Sequence, residues 1–322
     1  MTQKGSLRAP FDRPGCFCDI LRRRDARFCA FCVPSVFRRS LTRYQKSARK
    51  MSRLQILVVS DLDGTLLDHT TYAFDAARAA LERLRAARVP LVLCTSKSRA
   101  EVEPIRAALR NAHPFIVENG GGVCVPVGYF PFEIEGAERR GDYDVIPLGD
   151  PYAEVTRALS SASQASGVEV RGFADMTDDE VAVETGLALA EARLARRREF
   201  DEPFVVLEPD RAPELFAAIE REGKRWTTGG RFHHITGPSD KATAVRVLVG
   251  LYRRQLGGDV HTVGLGDAPN DAEFLREVDV PILIASSRVD QLRALVPAGR
   301  VTTLEGPAGW NAAVLALLDE RR

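Results

Sequence analysis

Short uninterrupted apolar runs alternate with longer amphipathic stretches through most of this chain. Ile56-Leu57-Val58-Val59 is four apolar residues broken by Ser60-Asp61-Leu62-Asp63-Gly64-Thr65. Such a run reads as a parallel strand buried on both faces, delivering two carboxylates to its C-terminal edge. Phe74 to Ala87 places Ala76, Ala80, Leu81 and Leu84 on one face with arginines opposite, which predicts an amphipathic crossover helix. Leu91 to Cys94 and Phe115 to Val117 are further buried strands, and Val123 to Val127 reads as the return strand of a hairpin.

From about Tyr143 to Thr236 the repeat changes. Strands are predicted at Asp144–Leu148, Val168–Phe173, Phe204–Leu207, Arg225–Thr228 and Phe232–Thr236. Helices are predicted at Tyr152–Ala165, at 177–198 with a break near Gly186, and at Pro213–Glu222. After this segment the first pattern returns: a helix to Leu256, a strand Val260–Leu265, a helix Asn270–Val278, strands Val280–Ala285 and Arg300–Leu304, and a closing helix Trp310–Leu318. The expected fold is therefore α/β, a three-layer Rossmann-like parallel sheet core over 51–137 and 237–322, with an inserted α+β cap domain over 138–236.

Charge separates the N-terminus from the rest. Residues 1–50 carry 13 Lys+Arg against 3 Asp and no Glu, whereas the remainder holds 32 of the 45 basic and 41 of the 44 acidic residues, an excess of nine negative charges. The tail shows no sustained period and holds Cys16, Cys18, Cys29 and Cys32, a spacing irregular for a zinc site. It also reads as a targeting leader without a clear amphipathic helix, or as upstream sequence ahead of a start at Met51; the last is the favoured expectation. Cys94 and Cys124 fall in apolar contexts and are expected to be reduced core residues. No stretch approaches a membrane span and no signal-peptide core is present, which points to a cytoplasmic protein with neither membrane nor nucleic acid as partner.

The chemistry concentrates at predicted strand ends. Asp61 and Asp63 alternate with Leu62, so an extended chain points both carboxylates one way, where they could share a divalent cation. Thr95 offers a hydroxyl for an anion, and Ser98 is placed to cap the helix containing Glu101. Lys241, in a helix's first turn, runs against the macrodipole, so an anionic partner is expected for it. Gly266-Asp267-Ala268-Pro269-Asn270-Asp271 brings two more carboxylates to another strand edge. Glu118-Asn119-Gly120-Gly121-Gly122 allows close backbone approach to a ligand or a tight turn. Arg196-Arg197-Arg198 reads as a solvated helix face. His233 and His234 must point to opposite faces of their strand, one of them a candidate for the site.

Four such groups in this order resemble the haloacid dehalogenase superfamily, whose four motifs match Asp61-Leu62-Asp63-Gly64-Thr65, Thr95, Lys241 and Gly266-to-Asp271. Within it the chain is similar to the mannosyl-3-phosphoglycerate phosphatases. That likeness rests on Thr95-Ser96-Lys97-Ser98-Arg99-Ala100-Glu101, Pro114 to Gly121, Arg198 to Phe204 and Gly230 to Gly237. Ser96-Lys97 stands where most sugar phosphatases of this cap type carry Gly-Arg. The resemblance implies a phosphoric monoester hydrolase using Mg2+. Asp61 would be the nucleophile and Asp63 the acid and base, with Thr95 and Lys241 on the phosphoryl group. The metal would lie on Asp61, the Asp63 carbonyl and Asp267, supported by Asp271. Ser96, Lys97, Glu118, Asn119, Gly120, Arg231, His233 and Asn270 are the expected contacts to a small phosphorylated sugar or glycerate, with Arg231 and His233 facing it from the cap. Alternatives are a glucosyl-3-phosphoglycerate or sucrose phosphate phosphatase, a phosphotransferase or mutase, and a catalytically silent binding protein.

Overall fold

The computed structural model describes residues 55–229 and 232–320. The four tail cysteines and Arg231 lie outside the described residues. In chain order, the first part of the core comprises β1 (Gln55–Ser60), α1 (Arg78–Ala86), β2 (Leu91–Cys94), α2 (Arg99–Ala108), β3 (Phe115–Val117), β4 (Gly122–Pro126), β5 (Glu138–Arg140) and β6 (Tyr143–Pro147). The insertion follows as α3 (Tyr152–Ser166), β7 (Val170–Gly172), α4 (Asp178–Thr185), α5 (Leu189–Ala195), β8 (Asp201–Val206), α6 (Ala212–Arg221), β9 (Arg225–Thr228) and β10 (His233–Thr236). The core then resumes with α7 (Lys241–Leu256), β11 (Val260–Gly266), α8 (Ala272–Leu275), β12 (Val280–Ala285), α9 (Val289–Leu295), β13 (Arg300–Glu305) and α10 (Gly306–Asp319).

The core sheet runs β13-β12-β11-β1-β2-β3-β4-β6-β5. It is parallel from β13 to β3 and antiparallel beyond. The apolar run of β1 is buried on both faces. Ile56 and Val58 pack with Leu81, Leu84, Trp310 and Val314, while Leu57 and Val59 pack with Val245, Leu248 and Phe274. Each such side chain contributes roughly 1.5–3 kcal/mol when fully buried, enough to hold β1 at the sheet's centre. Cys94 and Cys124 are buried free thiols. No helix of the described residues is long and apolar enough to cross a membrane.

The insertion has its own antiparallel sheet, β7-β8-β10-β9. Val155 and Leu159 of α3 and Leu215 and Ile219 of α6 cover one face of it, against Phe204 and Ile235. The helical stretch at 177–198 breaks at Gly186, whose φ of +78° suits glycine. Two expectations need correction, and two elements were missed. Strands β5 and β6 pair onto the edge of β4, so the chain leaves the core sheet after Pro147 rather than at 138. A strand at 144–148 was expected and β5 was not, and a strand's pattern does not say which sheet it joins. The helix expected over 270–278 is a 3₁₀ turn at Pro269–Asp271 followed by the short α8. Helix α9, which the pattern did not suggest, connects β12 to β13.

Candidate active site

The register Ser60↔Leu265 and Ser60↔Leu93 brings the ends of β11 and β2 to either side of the end of β1. Asp61, Asp267 and Asp271, all buried, thereby present carboxylate oxygens within 4.8 Å of one another. Two glycines make this approach possible. A Cβ on Gly64, where φ is +76°, would lie 2.8 Å from Asp267 Oδ2, and one on Gly266 would lie 2.7 Å from Asp271. Thr65 Oγ1 donates to Asp267 Oδ1 at 3.0 Å. Asp271 Oδ2 accepts the backbone N–H groups of Asp267 and Ala268, both at 3.1 Å, which closes the turn that carries both acids.

Lys241 finds the anionic partners expected for it. Its Nζ donates to Asp61 Oδ1 at 2.8 Å and to Asp271 Oδ1 at 2.7 Å, and the side chain is 2% exposed. Gly120 sets where that lysine starts: a Cβ there would fall 2.2 Å from the Asp240 carbonyl oxygen. One ammonium, with the Arg288 guanidinium 3.5 Å from Asp267, does not balance three buried carboxylates. Burial, then Asp271, Asp267 and Asp63, hold the Asp61 carboxyl well above the usual range against the pull of Lys241. Burial and Asp271 push Asp267 up to about 6 against Arg288, Thr65 and Lys241. Three hard oxygen donors in one pocket, short of positive charge, fit a divalent cation.

Asp63 stands apart from that cluster. Its carboxylate lines the larger cavity, about 720 Å3, where Oδ2 meets Lys97 Nζ at 3.1 Å and buried Oδ1 has no hydrogen-bond partner among the described residues. Lys97 also faces Glu101 at 3.9 Å, and these acids outweigh its burial and raise its pKa. Ser96 lines the same cavity, and its carbonyl accepts from Arg198 Nη2 at 2.8 Å. Thr95 is buried at the end of β2, with Oγ1 accepting the Lys97 N–H at 3.2 Å. Ser98 caps α2 in a reciprocal box with Glu101, as expected. Asn270 lines a smaller cavity beside Lys241, its Oδ1 buried without a partner among the described residues.

Other expected contacts are placed differently. Both Glu118 oxygens accept backbone N–H groups from the cap, those of Glu199, Phe200 and Asp201 at 2.7–3.0 Å, so this carboxylate anchors the start of β8 instead of meeting sugar hydroxyls. Asn119 donates Nδ2 to Asp201 Oδ2 at 2.9 Å. Arg198 is no solvated helix residue; it is buried against Asp201, Glu101 and Glu118. His233 shares the face of Ile235, bonds Thr228 Oγ1 at 3.0 Å and packs against Phe204 and Phe216, away from the cavity. His234, on the other face, lines the cavity with Nδ1 3.0 Å from Asp201 Oδ2. The two faces were predictable from strand geometry, but which of them meets the core was not. Arg288, after β12, was missed. Its Nη2 lies 3.5 Å from Asp267 Oδ2 and its Nη1 donates to the carbonyl of Gly229 at 3.2 Å.

A three-layer α/β core thus carries its clustered acids on two strand ends, those of β1 and β11, beneath an inserted α+β domain. Residues 58–127 match the haloacid dehalogenase-like hydrolase family. A glucosyl-3-phosphoglycerate/mannosyl-3-phosphoglycerate phosphatase of Methanococcoides burtonii is 39% identical over 265 residues, covering 81% of this chain and 97% of the relative. A mannosyl-3-phosphoglycerate phosphatase of Pyrococcus furiosus is 34% identical, covering 72% and 92%. In fold the chain is similar to a sugar phosphatase of haloacid dehalogenase subclass IIB, with a TM-score of 0.59 at 16% identity over 83% of this chain and 99% of that one. The chain belongs to the haloacid dehalogenase-like hydrolases. It is a phosphatase, a phosphoric monoester hydrolase.

Proposed function

We propose that this phosphatase hydrolyses mannosyl-3-phosphoglycerate to mannosylglycerate and phosphate, with Mg2+ held by Asp61, Asp267 and the Asp63 backbone carbonyl and supported by Asp271. The observation that carries the catalytic part is the buried carboxylate cluster with its single lysine. Bound there, the cation would offset the excess negative charge and keep Asp61 ionised. Asp61 then attacks phosphorus, forming an aspartyl-phosphate and releasing the glycerate oxygen. Asp63, which lines the cavity with Oδ1 unpartnered among the described residues, protonates that leaving oxygen and afterwards takes the proton of the water that cleaves the aspartyl-phosphate. Lys241 and the Thr95 hydroxyl stabilise charge on the phosphoryl oxygens.

The names of the relatives support the substrate. Two of them, from Methanococcoides burtonii and Persephonella marina, carry both the glucosyl and the mannosyl compound, so glucosyl-3-phosphoglycerate is the second substrate in this reading. On the cap side Arg231 remains, on sequence grounds, a carboxylate-binding residue. The test is phosphate release from mannosyl-3-phosphoglycerate, glucosyl-3-phosphoglycerate, sucrose phosphate and mannose 6-phosphate, each with Mg2+ and with excess chelator. The two phosphoglycerates are expected to be turned over fastest and only with the metal. Faster release from a plain sugar phosphate would overturn the substrate, and undiminished release in chelator would overturn the metal.

A further inference from the structure

The larger cavity is walled by three described cations, and two of them are already neutralised. Lys97 is held by Asp63 and Glu101. Arg198, 3% exposed, faces Asp201, Glu101 and Glu118 and gives Nη2 to the Ser96 carbonyl. Arg288 differs from both. Its side chain is 29% exposed, and among the described residues it makes one hydrogen bond, to the Gly229 carbonyl; its 3.5 Å approach to Asp267 is longer than a charge-assisted hydrogen bond. A guanidinium has five N–H donors in a fixed fork, so most of them remain for a ligand.

Position adds to this. Arg288 is fixed by the turn after β12, where Ser286 Oγ donates to the Asp267 carbonyl at 2.8 Å and accepts the Arg288 N–H at 3.2 Å. Its guanidinium therefore sits between an acid of the phosphate site and the β9–β10 loop of the cap. In a 3-phosphoglycerate ester, phosphate and carboxylate occupy opposite ends of a three-carbon unit. A ligand whose phosphate lies at the carboxylate cluster would bring its second anion to the border between core and cap.

The geometry points to Arg288 as the core-side residue that binds the substrate's glycerate carboxylate, a specificity-determining contact distinct from the phosphate site. The inference rests on the phosphoglycerate reading above. Its test compares the wild type with Arg288→Met and Arg288→Lys on mannosyl-3-phosphoglycerate and on p-nitrophenyl phosphate, with melting curves to confirm folding. The ratio of kcat/KM between the two substrates should fall about 10- to 100-fold in Arg288→Met, the loss of one charge-assisted contact, mainly through KM, and recover in part in Arg288→Lys. Mannosylglycerate, which keeps the carboxylate but lacks the phosphate, should inhibit p-nitrophenyl phosphate hydrolysis more weakly in Arg288→Met by a similar factor. If wild-type turnover favours phosphoglycerate esters but ratio and inhibition do not move in the variants, this inference fails while the substrate reading stands. If the wild type ignores phosphoglycerate esters, both fail. An equal loss on both substrates, with the Mg2+ concentration for half-activity raised, would show that Arg288 only holds Asp267.

Discussion

Two buried charged clusters lie near each other in this molecule, and they are built on opposite terms. At the core sheet's edge, three carboxylates face one ammonium and, 3.5 Å from Asp267, the Arg288 guanidinium, and their own burial and mutual repulsion still hold two of them above the usual carboxylate range. Where the cap enters β8, Glu118, Asp201 and Arg198 are at least as buried, yet each finds partners within the protein. Three backbone N–H groups bind Glu118; Asn119, His234 and Arg198 bind Asp201. At the joint burial also pushes Glu118 up to about 7, but its oxygens are taken up by backbone N–H groups, whereas Asp61 and Asp267 at the core edge have no such set of donors; what marks a place for a ligand is excess charge the chain does not satisfy.

Breaking one cluster should therefore cost activity, and breaking the other should cost stability. Asp61→Asn removes the proposed nucleophile, so phosphate release should fall by several orders of magnitude, on the order of 4 kcal/mol or more in activation free energy. Its metal-free melting temperature should stay level or rise. A folded carboxyl whose pKa is raised opposes folding once the pH exceeds its unfolded value, and asparagine removes that penalty. A melting curve shifted down by many degrees would place Asp61 among the structural residues.

Glu118→Ala should do the reverse. It strips the acceptor from three cap N–H groups and leaves buried Arg198 short of a partner, so urea denaturation should show a loss of about 3–5 kcal/mol. An unchanged midpoint would mean that the cap does not depend on this joint.

A smaller effect belongs inside the cap. Glu202, 1% exposed, accepts from Tyr152 Oη and from the Ala174 N–H, both at 2.7 Å, yet burial pushes its pKa up to about 7. Its folded pKa exceeds the usual 4.5, so the stability it supports is full below pH 4.5 and is lost as pH rises through about 7. Glu202→Gln removes that loss and should gain on the wild type by on the order of 2–3 kcal/mol between pH 5 and pH 8. Parallel pH profiles of the two proteins would contradict this.

The weakest contact compared is the exposed pair of ion pairs between cap and core, Arg225 with Asp240 at 2.7 Å and with Glu273 at 2.5 Å. Arg225→Ala should cost no more than about 1 kcal/mol, and less at high salt.

The same contrast explains what could be read from the sequence. Asp61, Asp63, Lys241, Asp267 and Asp271 were legible because each breaks a local rule. Acids end apolar strands, and a lysine begins a helix where the macrodipole disfavours it. Strand alternation likewise separated His233 from His234. The face that meets the core depends on how the cap sheet is laid down, and α3 and α6 cover the His233 side. Glu118 was misread because its partners come from across the cap boundary, 80 residues or more away, and such pairings leave no local pattern; Arg198 pairs with Asp201 three residues on, and its burial comes from Glu101 and Glu118 of the core. Gly120 was legible as a turn residue, and Gly64 as part of the break after the first strand. Their further use, making room for Asp267 and for the start of α7, appears only in three dimensions.

The central claim, that the chemistry belongs to Asp61 at the core edge, is tested most directly by trapping the covalent step. Asp63→Asn protein, lacking the base for the second half-reaction, is mixed with Mg2+ and p-nitrophenyl phosphate, whose leaving group needs no proton, then quenched in acid and reduced with borohydride. Peptide mass spectrometry should find homoserine at position 61, the product of a reduced aspartyl-phosphate. An unmodified Asp61 after a full burst of p-nitrophenol would contradict the account.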